Sequence, residues 1–335
     1  MLYWVTAILL LTEAILSVLY YIHYFQISNI LLLPPTIASF RYVQDIREPA
    51  AIASMHIFRF IPPAIHGFIC SDPARWRYLR AGYIWLLPIT LISIVFSSRS
   101  QFLLALAFWV AGYITGAGYF GTASKLGMQK VLALSLTFLV IVVPFSFLVY
   151  LIRWGIAAPE QVVWQRAAMA VFGAPIVLGE WLDGGGLDTL SHDFRLFTFN
   201  ALSRTLGIRT DLTPGIYSES ASLLLAGEEA ESNIFTAFRP LLDDLGIPGT
   251  LVCVLVGAFI VNQGWCFIKR GYIIGVPTVF AYALWVLWSP ITSAFSYNAV
   301  IAAYVIVTLG IWWTMRADLG LIGSGGALPE GSGFE

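Results

Sequence analysis

The sequence predicts an all-α, polytopic integral membrane protein, and three observations predict it. Of 335 residues, 59% are hydrophobic and only 11% are charged, where a soluble domain carries about 25% charge. Several uncharged runs reach the roughly 20 residues that a helix needs to cross a hydrocarbon core. These runs recur along the chain with short polar connections between them, as expected where lipid forces backbone groups to pair within helices. The same figures exclude other classes. A net charge of −1 with 18 Lys and Arg leaves no basic surplus for nucleic acid. Cys70, Cys253 and Cys266 are odd in number, match no metal spacing and fall in or beside apolar runs, so neither a disulfide nor a structural zinc is expected.

About eight spans follow in order. Residues 2–21 form the first, which lacks a basic flank and a small-residue cleavage site and is expected to stay as a membrane helix. Residues 27–40 read as a short or re-entrant segment. The run 52–69 is the weakest span, because it holds His56, Arg59, Pro62 and Pro63. Residues 81–96 and 101–122 come next, and 131–152 is the clearest span, uncharged with a single proline, Pro144. Residues 250–267, 272–288 and 299–315 complete the set. The chain therefore divides into amino-terminal membrane helices (1–152), a large external segment (153–248), carboxy-terminal membrane helices (249–316) and a Gly- and Ser-rich flexible tail (317–335).

Orientation follows from the short connections, where Lys and Arg collect on the cytoplasmic side. Arg75, Arg77 and Arg80, then Lys125 and Lys130, then Lys269 and Arg270, then Arg316 fall on one side under strict alternation. Arg99 and the external segment fall on the other. That segment holds twelve acids between Glu160 and Asp244, among them Glu228, Glu229 and Glu231, with Arg153, Arg166, Arg195, Arg204, Arg209 and Arg239. Its apolar stretches 162–182 and 220–225 are expected to form helices lying on the bilayer, making a helical cap.

Two patterns suggest chemistry that their surroundings deny. Gly116, Gly118 and Gly121 spell G-x-G-x-x-G, but inside an apolar span, where Gly112 and Gly116 make a small-xxx-small pair suited to close helix packing. His23, His56, His66 and His192 are scattered, with no ligand spacing, so no metal and no cofactor is expected. Glu13 and Arg59 lie within apolar runs, where an ionisable group is either functional, paired with another or snorkelling to an interface. Arg99, in Ser97-Ser98-Arg99-Ser100, offers a guanidinium at the outer end of two spans. In the external segment, Trp181-Leu182-Asp183-Gly184-Gly185-Gly186 breaks a helix and leads into Asp188, His192, Asp193 and Arg195. A carboxylate beside a histidine suits a general base, and equally a helix cap. Arginines on one membrane face, without lysine, fit a phosphate or diphosphate, which Arg grips in a fork, although pairing with the local carboxylates accounts for part of them.

Residues 96–104 (FSSRSQFLL) and 233–249 (NIFTAFRPLLDDLGIPG), with the order of spans and loop, resemble bacterial oligosaccharide repeat-unit polymerases of the O-antigen polymerase (Wzy) class. Asp244, Leu245 and Gly246 stand where the family has Asp-aromatic-Gly, with Leu in place of the aromatic. Arg204 and Gly215, ten residues between them, resemble a pattern found in such loops. The likeness covers roughly residues 80–315, while the amino-terminal third shows no motif of the family. It implies a GT-C-like fold in the bacterial inner membrane and a polyprenyl-diphosphate-linked oligosaccharide as substrate. It also implies a flippase and a chain-length regulator as partners. The implied reaction is transfer of the glycan to a hydroxyl of the next lipid-linked repeat, with Arg99 and Arg239 stabilising the diphosphate. Arg204 and Arg195 are secondary candidates, and the base stays open among His192, Asp193 and Glu219.

Overall fold

A computed structural model describes residues 2–29, 32–40, 49–72, 80–96, 98–122, 144–145, 147–149, 151–152, 173–186, 203, 206–207, 221–225, 228–232, 236–289 and 297–322. Helix α1 (Leu2–Tyr24) buries Tyr3, Ala7, Leu10, Ala14, Ser17 and Tyr21, the three-and-four spacing of one helix face. Ile8, Ile15 and Leu19 on the opposite face are 62%, 48% and 55% exposed, which is sustainable where the solvent is lipid. The short α2 (Leu33–Phe40) occupies the region read as a short segment, and its Leu33 and Ile37 pack with Val18, Tyr21 and Val95.

The expected span over 52–69 is broken. It comprises α3 (Ala50–Met55), a 3-10 turn (His56–Arg59) and α4 (Ile61–Cys70), with Pro62 and Pro63 in the first turn of α4. Proline has no N–H to give to the preceding turn, so the helix must restart there. A 3-10 stretch (Arg80–Trp85) then leads into α5 (Leu86–Val95), and α6 (Arg99–Tyr119) follows.

Helices α4 and α6 pack most closely. A Cβ on Gly112 would meet the Ala64 carbonyl, one on Gly116 the Phe68 carbonyl and Ser71 Oγ, and one on Gly67 the Trp109 carbonyl. The small-xxx-small pair thus lets two backbones touch, which is the source of attachment available to helices that share an apolar solvent. Phe108 of α6 is the hub, stacking on Phe60 at 5.2 Å between ring centroids and meeting Phe280 edge-on at 5.8 Å.

Of the external segment, residues 173–183 are helical (α7), in keeping with the helix expected over 162–182. Of the helix expected over 220–225, residues 221–225 form a strand instead. Strand β1 (Ala221–Leu225) pairs antiparallel with β2 (Glu228–Ser232), Leu225 opposite Glu228 and Ala221 opposite Ser232. Five residues are far too few for a stable isolated helix, and only Ala226 and Gly227 separate them from a second short run, the spacing of a hairpin. Residues 153–248 are therefore not purely helical.

Helix α8 (Phe238–Lys269) begins twelve residues before the span expected from hydropathy. Beyond the break at Gly246, the 23 residues 247–269 measure about 35 Å at 1.5 Å per residue, slightly more than a hydrocarbon core of about 30 Å. Gly246 divides the helix, with φ 64° and ψ −177°, a region that is essentially closed to residues with a Cβ. Helices α9 (Gly275–Trp288) and α10 (Asn298–Ile322) close the sequence of elements.

Among the described residues, four helices are long and apolar enough to cross a membrane: Leu2–Tyr24, Ser100–Tyr119, Phe238–Lys269 and Asn298–Met315, with Gly82–Val95 and Gly275–Trp288 as shorter apolar helices. The chain is a helical membrane protein by these lengths and compositions. The run 131–152 lies mostly outside the described residues, and its described portions are helical. At one end of the bundle, Tyr3 donates a hydrogen bond to the Gly82 carbonyl, and Thr122 Oγ1 donates to the Ser71 carbonyl at 3.1 Å. An apolar cavity of about 170 Å³ at the same end is walled by Tyr3, Phe68, Phe120, Ile311 and Met315. A Cβ on Gly118 would meet Trp265 and Ile268. The elements that flank all four basic connections therefore meet at this end.

Candidate functional site

At the opposite end, residues 236–249 build a compact anchor. The Ala237 amide donates to the Ser289 carbonyl at 2.8 Å, tying the start of α8 to the end of α9, and the Phe238 amide donates to Thr236 Oγ1 at 3.3 Å. In the first turn of the helix, Arg239 is 4% exposed. Its Nε donates to both carboxylate oxygens of Asp243, at 3.1 and 3.0 Å, the i,i+4 partner that a helix supplies. The face of the guanidinium lies 3.5 Å from the ring centroid of Trp181 at the end of α7. On that ring the chain folds back so closely that a Cβ on Gly186 would strike it. Trp181 is thus held between a glycine turn and an arginine, and Arg239 between an aromatic face and a carboxylate. Asp244, beside Asp243, is also buried, and Gly246 turns the chain before Pro248 begins the long apolar part of α8.

Arg99 opens α6 after an extended Ser98, and Ser98 and Ser100 share a hydroxyl contact of 2.8 Å. Counting from the Phe108–Phe280 contact, Arg99 lies nine residues and Trp288 eight residues toward this end, so both stand about 12–13 Å above it. Arg99 and the Arg239 anchor therefore belong to the same end of the bundle. His192, Asp193, Arg195, Arg204 and Glu219 lie outside the described residues.

A second polar cluster sits at mid-depth. Glu13, the twelfth of 23 residues of α1, is fully buried, and Arg59 is 4% exposed. Arg59 Nε donates to Glu13 Oε1 at 2.9 Å, its Nη2 binds the same oxygen, and Ser17 Oγ donates to it at 3.2 Å. His56 Nε2 lies 3.8 Å from that oxygen. The reading that these two charges pair with each other is the one realised. Arg59 also sits 5.6 Å over the ring of Phe96, three residues before Arg99.

A third buried group is structural. Trp85 and Trp109 both donate their indole N–H to His66 Nδ1, at 3.0 and 3.1 Å, which places the ring proton on Nε2, 3.1 Å from Cys70 Sγ. His66 thereby clamps α4, α5 and α6 together. Among the described residues, no group of three His, Cys, Asp or Glu side chains is gathered to hold a metal ion.

The sequence singles out Arg239 and Arg99 but does not pair Arg239 with Trp181 or Asp243. The i,i+4 spacing of Arg239 and Asp243 was a usable signal; nothing in the sequence brings Trp181 across nearly sixty residues. No protein-family model, curated protein or solved structure matches the chain.

Proposed function

We propose that the chain is an oligosaccharide repeat-unit polymerase of the Wzy class. In this reading eight membrane helices, arranged in a GT-C-like manner in the bacterial inner membrane, carry the external segment on the outer face. The observation that carries it is the Arg239 anchor: the motif most like that family forms a rigid unit around an immobilised guanidinium, at the same end as Arg99. Donors oriented by fixed neighbours suit a departing diphosphate, whose charge they meet as it develops once Trp181 has moved aside.

The reaction joins two lipid-linked glycans. A base in the external segment, His192, Asp193 or Glu219, takes the proton of an acceptor hydroxyl. That oxygen forms a bond to the anomeric carbon of the donor as the bond from this carbon to the diphosphate oxygen breaks. Polyprenyl diphosphate leaves with its negative charge held by Arg99 and Arg239, with Arg204 and Arg195 as secondary candidates. Because Trp181 covers the Arg239 face, binding there requires this side chain to move.

Reconstitution with lipid-linked repeat units tests the reading. A ladder of glycan lengths is expected from the wild type, whereas transfer to a different acceptor without a ladder identifies a glycan ligase instead. Arg99→Lys and Arg239→Lys keep the charge but lose the fork, so polymer formed per inserted molecule falls at least about tenfold while abundance falls little. Full activity in both variants rejects the arginine mechanism.

The broken segment Ala50–Cys70 favours one rival, a lipid or polysaccharide transporter. Discontinuous helices beside charged groups at mid-depth are a hallmark of carriers. Movement of a labelled lipid-linked repeat across a vesicle membrane, without chain growth, is the outcome that selects it.

A further inference from the structure

The Glu13–Arg59 cluster lies at mid-depth, and its geometry is unlike that of a pair kept for stability alone. A structural arginine–carboxylate pair commonly spreads two donors over two oxygens. Here Arg59 Nε, Arg59 Nη2 and Ser17 Oγ all converge on Oε1 of Glu13. The other oxygen, Oε2, is buried and accepts no hydrogen bond. Fully buried acceptors are rarely left so.

The surrounding backbone adds to the supply of acceptors. In a helical turn the Arg59 carbonyl would receive the amide of residue 62 or 63, and both are proline. This cluster therefore offers a carboxylate oxygen and a carbonyl that helix formation leaves open. The carboxylate charge is already matched by the guanidinium in contact with it. A second cation would meet Arg59, and an anion would meet Glu13. What fits is a neutral donor, and the approach is past His56, whose side chain is 26% exposed beside a fully buried Glu13.

We infer that Glu13, Ser17, His56 and Arg59 form a binding site for the hydroxyl groups of an uncharged ligand, of the chemical class of a sugar ring. Glu13 Oε2 accepts from one hydroxyl, and the Phe96 ring, stacked under Arg59, supplies an apolar wall. This site does not depend on the polymerase reading, and it stands if that reading fails.

The test uses the full chain in lipid nanodiscs prepared without glycoside detergent. Octyl β-glucoside, octyl sulfate and octyltrimethylammonium are titrated below micelle formation, and the thermal unfolding midpoint and saturation transfer to each headgroup are measured. The expected result is a saturable rise in midpoint with octyl β-glucoside alone, with transfer to its sugar protons. Glu13→Gln replaces the open acceptor and weakens this binding about tenfold or more, the factor carried by one hydrogen bond to a charged group. His56→Phe, which leaves the Glu13–Arg59 pair intact and alters only the approach, weakens it as well and decides the matter should Glu13→Gln fail to insert. Three results overturn the proposal: an equal response to all three amphiphiles or to none, a response to octyltrimethylammonium alone, or unchanged glucoside affinity in the folded variants.

Discussion

Arg59 and Arg239 are both 4% exposed, yet they meet their carboxylates under different constraints. Arg239 finds Asp243 one turn away on its own helix, so the pair forms as soon as the helix does. Arg59 reaches Glu13 across 46 residues of sequence and exists as a pair only in the assembled bundle. Removing one partner leaves a buried charge alone, so Arg59→Met is expected to cost about 3–5 kcal/mol. Glu13→Leu with Arg59→Met removes both charges and should cost much less, because apolar replacements of a buried pair are often neutral. Unfolding free energies of Arg59→Met, Glu13→Leu and the double variant in bilayers measure this directly; a double-variant cost equal to the sum of the two single costs would show that the charges act independently. At this scale the sequence was legible wherever a charge sat in an apolar run, since few fates are open to it. Trp181 was not legible, because an aromatic residue carries no mark of the cation it will cover.

Helix boundaries depended on chemistry that hydropathy does not weigh. The run 52–69 is apolar enough to be taken for a span, but Pro62 and Pro63 break it into a 3-10 turn and a separate α4. The start of α8 was placed at residue 250 because Arg239, Asp243 and Asp244 lower the hydropathy there, although helix formation begins at Phe238. The short run at 221–225 is apolar in either secondary structure, and its hairpin partner is a run of acids that suggests no strand. The glycines of α6 were read correctly as packing residues, whereas their partner, α4, came from the fold alone. Gly112→Leu should force α4 and α6 apart and destabilise the bundle by about 1–3 kcal/mol or more, as overpacking does. Gly257 on α8 has nothing within 4 Å of an added Cβ, so Gly257→Leu should stay within about 0.5 kcal/mol of the wild type. Thermal unfolding midpoints of both variants in nanodiscs compare them, and matching losses would sink the seam argument.

For the whole molecule, alternation of the short basic connections makes a statement about sides that the fold turns into one about ends. The elements flanking those connections converge at the Tyr3 end, and Arg99 and the Arg239 anchor converge at the other. Placing the first end in the cytoplasm predicts how single cysteines will behave in a chain whose own three are replaced. Cysteines at positions 72 and 270 should react with a membrane-impermeant reagent only after permeabilisation, and those at 184 and 298 without it. Reaction of position 184 only after permeabilisation would reverse the orientation and remove the polymerase reading with it. The bundle is also uneven in height. Against α6, with 21 residues, packs α9 with 14, about 21 Å long, and its Tyr282, Val286 and Leu287 are turned outward. Acyl chains beside α9 must shorten or splay to meet it, so the protein carries a local dimple in the bilayer wherever it resides. Long-chain, sterol-stiffened lipids resist such a dimple and short, disordered ones accept it, which makes membrane composition a determinant of where this protein settles.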